Sequence, residues 1–274
     1  MKTTKDIAGQ AHWDDTWSGN ALPPPIDPIG SRLSDYVSRR LQKLYDGILA
    51  EFDVHPGASL IEMGCGGSVW MPYFASRHGL RVSGVDYSPT GCKLSQRILQ
   101  RAGVVADIHE CDFFHPPTAL VGAADVVFSS GVLEHFTDTA GCVAAMAAYV
   151  KPGGLVISSV PNMAGLTGSL QRIFDRETYD IHVPLDLSQL VDAHKDAGLL
   201  VQRSEYVLFA NVGVVAIKSK ARELRTLAKR ASLGVAARIN MILWLLEGPD
   251  GRLPPNPWTS PYILCVARKP SARE

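Results

Sequence analysis

The stretch SLIEMGCGG, residues 59–67, decides the fold: an apolar, β-type run ends directly in a turn carrying Gly64, Gly66 and Gly67. Glycine at such a junction lets the backbone turn sharply and lets a bulky ligand approach without meeting a Cβ. The helix that follows offers unpaired N–H groups. A dinucleotide-binding turn wants G-x-G-x-x-G, and Val69 stands where the third glycine would be. That lowers the reading as an NAD(P)-dependent oxidoreductase, which stays as the rival.

Outward from this turn, short β-type runs alternate with helical patterns. RVSGVD (81–86), VADIHE (105–110), ADVVFSS (124–130), LVISSV (155–160), a run near 199–209 and PYILCVAR (261–268) are the further strands. Helices are predicted through the 70s, over 89–102, about 137–150 and roughly 187–197. Before the first strand, Leu33, Val37, Leu41, Leu44, Ile48 and Phe52 recur at three- and four-residue spacing, the mark of an amphipathic helix. Ser88-Pro89 reads as an N-cap with a first-turn proline, Gly103 as a helix stop, and Asp186 with Gln189 as a capping box. Alternation of this kind specifies an α/β fold, a doubly wound and mostly parallel sheet of about seven strands whose last strand is antiparallel, with helical insertions. Asp86, ending the second strand, is placed to accept both ribose hydroxyls of an adenosine.

Composition narrows the partners. The 274 residues carry 27 basic and 27 acidic side chains, so a surface given over to nucleic-acid phosphates is not expected. The five cysteines form no C-x-x-C pair, which suggests neither a zinc cluster nor a redox motif. No apolar leader opens the chain and no run is long enough to cross a bilayer; a cytoplasmic protein is expected.

Four segments in order, EMGCGG (62–67), VDYS (85–88), CDFF (111–114) and SSGVLEHF (129–136), resemble the successive cofactor motifs of class I S-adenosylmethionine-dependent methyltransferases. The likeness is best over residues 56–160 and is nearest to the ubiquinone-biosynthesis and small-molecule subgroup. It implies that Gly64 and Gly66 line the methionine portion of S-adenosylmethionine and that Asp86 holds the ribose. Tyr87 would pack on the adenine, Asp112 would accept from its amino group, and Phe113 would offer a backbone N–H or an apolar wall. Ser129 and Ser130 would sit near the sulfonium, and Glu62 would orient the turn. Some quinone O-methyltransferases with an E-x-L-E-H stretch bind a divalent metal through both carboxylates and the histidine; here Gly131 stands at the first of those positions, so no metal is predicted.

Methyl transfer to a hydroxyl benefits from a base, and His135 and His182 are the candidates, with Tyr179 and Asp180 behind them. Trp13 and Trp17 lie in an N-terminal arm (residues 1–30) whose proline and glycine content argues against regular structure; it is read as a lid over one methyltransferase domain, residues 31–274. Acceptor-facing insertions are expected near 161–185 and 211–258. The stretch 218–246 is basic, then apolar, and is read as a helix with a solvated basic face and a core or oligomer face, with a peripheral membrane contact, a grip on a phosphate-bearing acceptor or a cover over the pocket as alternatives. The insertion before the last strand resembles those of surface-polysaccharide and natural-product methyltransferases, and that resemblance tilts the acceptor towards a glycan or lipid-linked molecule. The function expected is methyl transfer to O or N of a small molecule or sugar; a non-catalytic cofactor-binding scaffold is the other alternative.

Overall fold

The computed structural model describes residues 6–19, 21–27, 32–217, 224–248 and 251–271. In chain order the elements are α1 (Gln10–Trp17), α2 (Tyr36–Glu51), β1 (Ser59–Met63), α3 (Trp70–His78), β2 (Arg81–Asp86), α4 (Pro89–Ala102), β3 (Asp107–Glu110), β4 (Ala124–Ser130), α5 (Thr139–Tyr149), β5 (Val150–Pro161), α6 (Leu166–Phe174), α7 (Arg176–Asp180), α8 (Leu187–Asp196), β6 (Leu200–Val207), α9 (Leu224–Glu247) and β7 (Tyr262–Arg268). The strands form one sheet in the order β3-β2-β1-β4-β5-β7-β6. β1 to β5 pair in parallel, and β7 runs antiparallel to both its neighbours. This is the Rossmann-like doubly wound sheet that the alternating pattern predicts.

The side-chain alternation of each strand feeds two cores. Leu60, Val126, Phe128, Ile157 and Leu264 face α2 and α3, where Tyr45 and Phe74 meet Phe128 edge-on at 5.2 Å ring separation. Ile61, Met63, Val127, Val156 and Cys265 face α5 and α8 through Val143, Met146 and Leu190. Ser88 Oγ accepts from the Gly91 N–H at 3.0 Å, and the Asp186/Gln189 box is closed in both directions at 2.8 and 3.0 Å. These caps set the first turns of α4 and α8 where the sequence places them.

The insertion after β5 is helical, as expected, and holds α6 and α7. Two departures from the sequence expectation stand out. The arm is irregular over 21–27, around its prolines, but Gln10–Trp17 ahead of them is a helix, with Trp13 and Trp17 stacked one turn apart at 6.3 Å. The other departure is that β5 starts at Val150, with the Lys-Pro-Gly-Gly segment absorbed as an irregularity in the β4–β5 register. Residues 1–5, 20, 28–31, 218–223, 249–250 and 272–274 lie outside the described residues, Lys218, Lys220 and Arg222 among them. α9 docks by its inner face, where the Trp244 Nε1–H donates to Ala210 O at 2.9 Å and Asn240 Oδ1 accepts from Val212 N–H at 2.8 Å.

Candidate active site

In an open parallel sheet the ligand crevice opens at the carboxyl ends of the strands where the order reverses. Here that point lies between β1 and β4, and both strands leave through a left-handed glycine, Gly64 (φ 67°) and Gly131 (φ 73°). A Cβ on Gly64 would stand 2.5 Å from Val132 Cγ2. Gly66 is as confined: a Cβ there would lie 2.6 Å from Trp17 Nε1 and 2.9 Å from Asp86 Oδ2. The turn is thus a cradle that only glycine can form.

Asp86 is buried, and both carboxylate oxygens are anchored, Oδ2 by the Gly66 N–H and Oδ1 by the Ser88 N–H, each at 2.7 Å. Burial raises its pKa, and the backbone donors work against that rise. Glu62 lies under the turn, outside the cavity; its Oε2 accepts from Ser68 Oγ–H at 2.6 Å, and Ser68 Oγ in turn accepts from the Trp70 N–H at 3.0 Å. Glu62 therefore fixes the start of α3, and burial raises its pKa to about 8.

A cavity of about 160 Å³ is lined by Asp6, Trp13, Trp17, Gly64, Gly66, Asp86, Tyr87, Phe113, Ser130, Gly131, Val132, His135 and Phe136. Next to it a groove passes Tyr87, Asp112, Phe113 and Phe114. The structure thus brings together Trp13, Trp17, Gly64, Gly66, Asp86, Tyr87, Phe113, Ser130 and His135, with Asp112 in the adjoining groove. It does not bring Ser129 or Tyr179 to the cavity wall. Ser129 alternates away from Ser130 into the core, 1% exposed and with its Oγ unpartnered.

The arm closes over the cavity through Asp6, which the sequence gives no reason to single out. Its carboxylate accepts from Trp13 Nε1–H at 3.0 Å and from the Tyr87 hydroxyl, and its backbone bridges Phe136. Asp14 accepts from the Ser88 hydroxyl at 2.6 Å and the Thr90 hydroxyl at 3.1 Å, contacts that lower its pKa. These bonds tie α1 to the first turn of α4.

On the opposite wall the 3₁₀ turn Leu133–His135 turns His135 inward. Its Nδ1–H donates to Ile181 O at 2.8 Å, which leaves Nε2 as the lone-pair nitrogen. Burial, then the neighbouring His182, lower its pKa to about 4, so the ring is neutral at pH 7. His182 lies beside it with the rings tilted by 47° and centroids 4.6 Å apart, and donates from Nδ1 to Thr178 O at 2.6 Å. Glu134 is 2% exposed, its Oε1 is 3.8 Å from His135 Nε2 and its Oε2 has no hydrogen-bond partner. Burial raises its pKa to about 8.

Comparison with known proteins finds methyltransferases. A family model described as a methyltransferase domain matches residues 61–158. A ubiquinone biosynthesis O-methyltransferase of Methylobacterium sp. (strain 4-46) is 30% identical over 166 residues, 56% of this chain, and the chain spans 64% of that relative's length. A second protein of that description, from Cereibacter sphaeroides (strain ATCC 17029 / ATH 2.4.9), is 26% identical over 209 residues, covering 72% of this chain and 81% of its own. Among solved structures, geranyl diphosphate C-methyltransferase from Streptomyces coelicolor A3(2), in complex with Mg2+, geranyl diphosphate and S-adenosyl-L-homocysteine, superposes with a TM-score of 0.59 at 16% identity, over 95% of this chain and 97% of that one.

Proposed function

We propose that this chain, which belongs to the class I S-adenosylmethionine-dependent methyltransferases, transfers a methyl group from S-adenosylmethionine to an oxygen of a small-molecule acceptor. One observation carries the reading: the ends of β1, β2 and β4 converge Gly64, Gly66, Asp86 and Ser130 on one cavity whose far wall is His135. The glycine cradle fits the methionine portion and Asp86 fits the ribose, while Asp112 and Phe113 line a groove suited to the adenine. S-adenosylmethionine, when bound, supplies a methyl group on a positively charged sulfur.

The residues of the chain do the rest. Asp86, with both oxygens anchored, receives the ribose without reorganising. Trp13 and Trp17 exclude water from the reacting atoms. His135 Nε2 accepts a hydrogen bond from the acceptor hydroxyl and so fixes the attacking oxygen. Holding a nucleophile in line with the breaking bond is worth roughly 7–11 kcal/mol, and this site is built chiefly for such alignment. Trp13, Phe113, Val132 and Phe136 give the acceptor side an apolar, aromatic wall. That wall favours a phenolic ring over a sugar, whose several hydroxyls would each lose a water partner on entry. The Methylobacterium and Cereibacter relatives, described as O-methyltransferases, support oxygen as the receiving atom. S-adenosylhomocysteine formation with a catechol acceptor is the test, and it should exceed that with nucleotide sugars by about tenfold or more. Stabilisation by NADH with no response to S-adenosylhomocysteine would support the oxidoreductase rival instead.

A peripheral contact with an anionic membrane is part of this reading, as access to a lipid-linked acceptor. Val235, Ile239, Ile242, Leu245 and Leu246 are exposed on the outer face of α9, beside Arg230 and Arg238. From Leu224 to Leu246 the helix holds no acidic residue. Among the described residues no helix is long and apolar enough to cross a membrane. An apolar face of this kind beside cations suits the headgroup boundary, where each basic residue adds about 1 kcal/mol. Ile239→Glu with Ile242→Glu should weaken co-sedimentation with phosphatidylglycerol vesicles by at least about tenfold and leave S-adenosylhomocysteine affinity unchanged.

A further inference from the structure

We infer that Glu134, His135 and His182 form a binding site for one divalent transition-metal ion, at the acceptor end of the cavity. One ligand atom from each of the three lies within 4.8 Å of the others. The sequence argues against a metal, because Gly131 stands where a similar E-x-L-E-H stretch has its first carboxylate. The fold supplies a third ligand from elsewhere: His182, on the turn that follows α7, comes to 4.6 Å from His135, ring centroid to ring centroid.

Two independent features point to a cation. Both imidazoles donate Nδ1–H to a backbone carbonyl, His135 to Ile181 O at 2.8 Å and His182 to Thr178 O at 2.6 Å. This outer contact is the one that fixes a ligating histidine in the tautomer with its Nε2 lone pair presented to a metal. The other feature is Glu134, 2% exposed, whose Oε2 has no hydrogen-bond partner. A buried carboxyl oxygen left unpaired costs stability, and an ion held between the carboxylate and the two rings removes that cost. Ligand atoms about 2.0–2.2 Å from a shared zinc ion stand roughly 3.3–3.5 Å apart, so Oε1 and Nε2, 3.8 Å apart here, need to draw in only slightly.

The donor set names the class of ion. Two imidazole nitrogens and one carboxylate suit Zn2+, Co2+ or Fe2+, whereas an all-oxygen set suits Mg2+. Three protein ligands also leave a fourth position open, and His135 is the ligand that lines the cavity. With the ion bound, the acceptor hydroxyl would join it at the fourth position as an oxygen ligand, in place of the direct hydrogen bond to His135 Nε2, and would give its proton to solvent. The oxygen lone pair then forms the new O–CH3 bond while the S–CH3 bonding pair returns to sulfur, leaving a neutral thioether. That role rests on the O-methyl transfer proposed above; ion binding does not.

The test uses the full chain, stripped with chelator and titrated with Co2+ in the absence of cofactor and acceptor. One equivalent should bind with visible d–d absorption, persist in millimolar Mg2+, and weaken at least about tenfold in His182→Ala and in Glu134→Gln. His115→Ala, at an exposed histidine paired with Asp112, should bind as the wild type does. The absence of saturable one-to-one binding, wild-type affinity in both ligand variants, or displacement by Mg2+ at millimolar concentration or below would overturn the site. Calorimetry with S-adenosylhomocysteine on the same samples reports separately on the methyltransferase reading, since none of the three ligands belongs to the cofactor half of the cavity.

Discussion

Asp86→Ala should weaken S-adenosylhomocysteine binding by about 100-fold or more in titration calorimetry. A hydrogen bond to a charged group contributes about 1.5–3 kcal/mol, and a carboxylate receiving two ribose hydroxyls supplies two of them. At about 1.4 kcal/mol per factor of ten, the loss reaches two orders of magnitude or more. The anchoring adds to it: Oδ2 holds the Gly66 N–H and Oδ1 the Ser88 N–H, so the alanine variant also frees the glycine cradle. Asp86→Asn separates the two contributions, because the amide keeps the shape and one acceptor oxygen; a loss nearer tenfold is expected. Far-ultraviolet circular dichroism should stay that of the wild type, since β2 is held by its ladders to β1 and β3. Unchanged affinity in the alanine variant would remove the ribose from Asp86 and with it the adenosine reading of the turn.

Much of the cofactor half is legible in the sequence because it is local. β1, β2, α4 and β4 begin and end where apolar runs meet glycine, aspartate or a serine–proline cap, and the residues that matter sit on those boundaries. Parallel topology then places every strand's carboxyl end on one edge, so Gly64, Asp86 and Ser130 converge without further information. Ser129 fails as a cavity residue for an equally local reason, the two-residue period of a strand.

The acceptor half is long-range and was hidden. α1 has eight residues, too short to hold itself as a helix in water; it is held by Asp14 on Ser88 and Thr90 and by Trp17 over Gly66 and Gly91. A proline-rich neighbourhood says nothing of such contacts. Asp6 bonds to Tyr87, 81 positions away, and His182 meets His135 across 47 positions, a pairing that no local pattern encodes. The two halves differ in consequence. In the cofactor half a substitution acts through a backbone turn, so binding responds first. In the acceptor half it acts through side chains carried on inserted elements, so turnover responds first.

His135 is where that difference is sharpest. His135→Ala should lower kcat by about 10²–10³-fold while S-adenosylhomocysteine affinity stays within about threefold of the wild type. The side chain lies across the cavity from Asp86, edge-on to Trp13 at 4.8 Å, and Nε2 is the atom proposed to meet the acceptor oxygen, directly or through an ion. A positioned group at a reacting hydroxyl contributes about 10²–10⁴-fold, and the lower part of that range fits a site that works mainly by alignment. Alanine also leaves Ile181 O without its donor, which costs about 1–3 kcal/mol of stability, so the comparison needs a variant that keeps that bond. His135→Asn does: its side-chain amide falls near the ring's Nδ1 and can donate to Ile181 O, but nothing replaces Nε2. The asparagine variant should melt close to the wild type and be as slow as the alanine variant. Turnover within threefold of wild type in both would show that no atom at the Nε2 position takes part in the transfer.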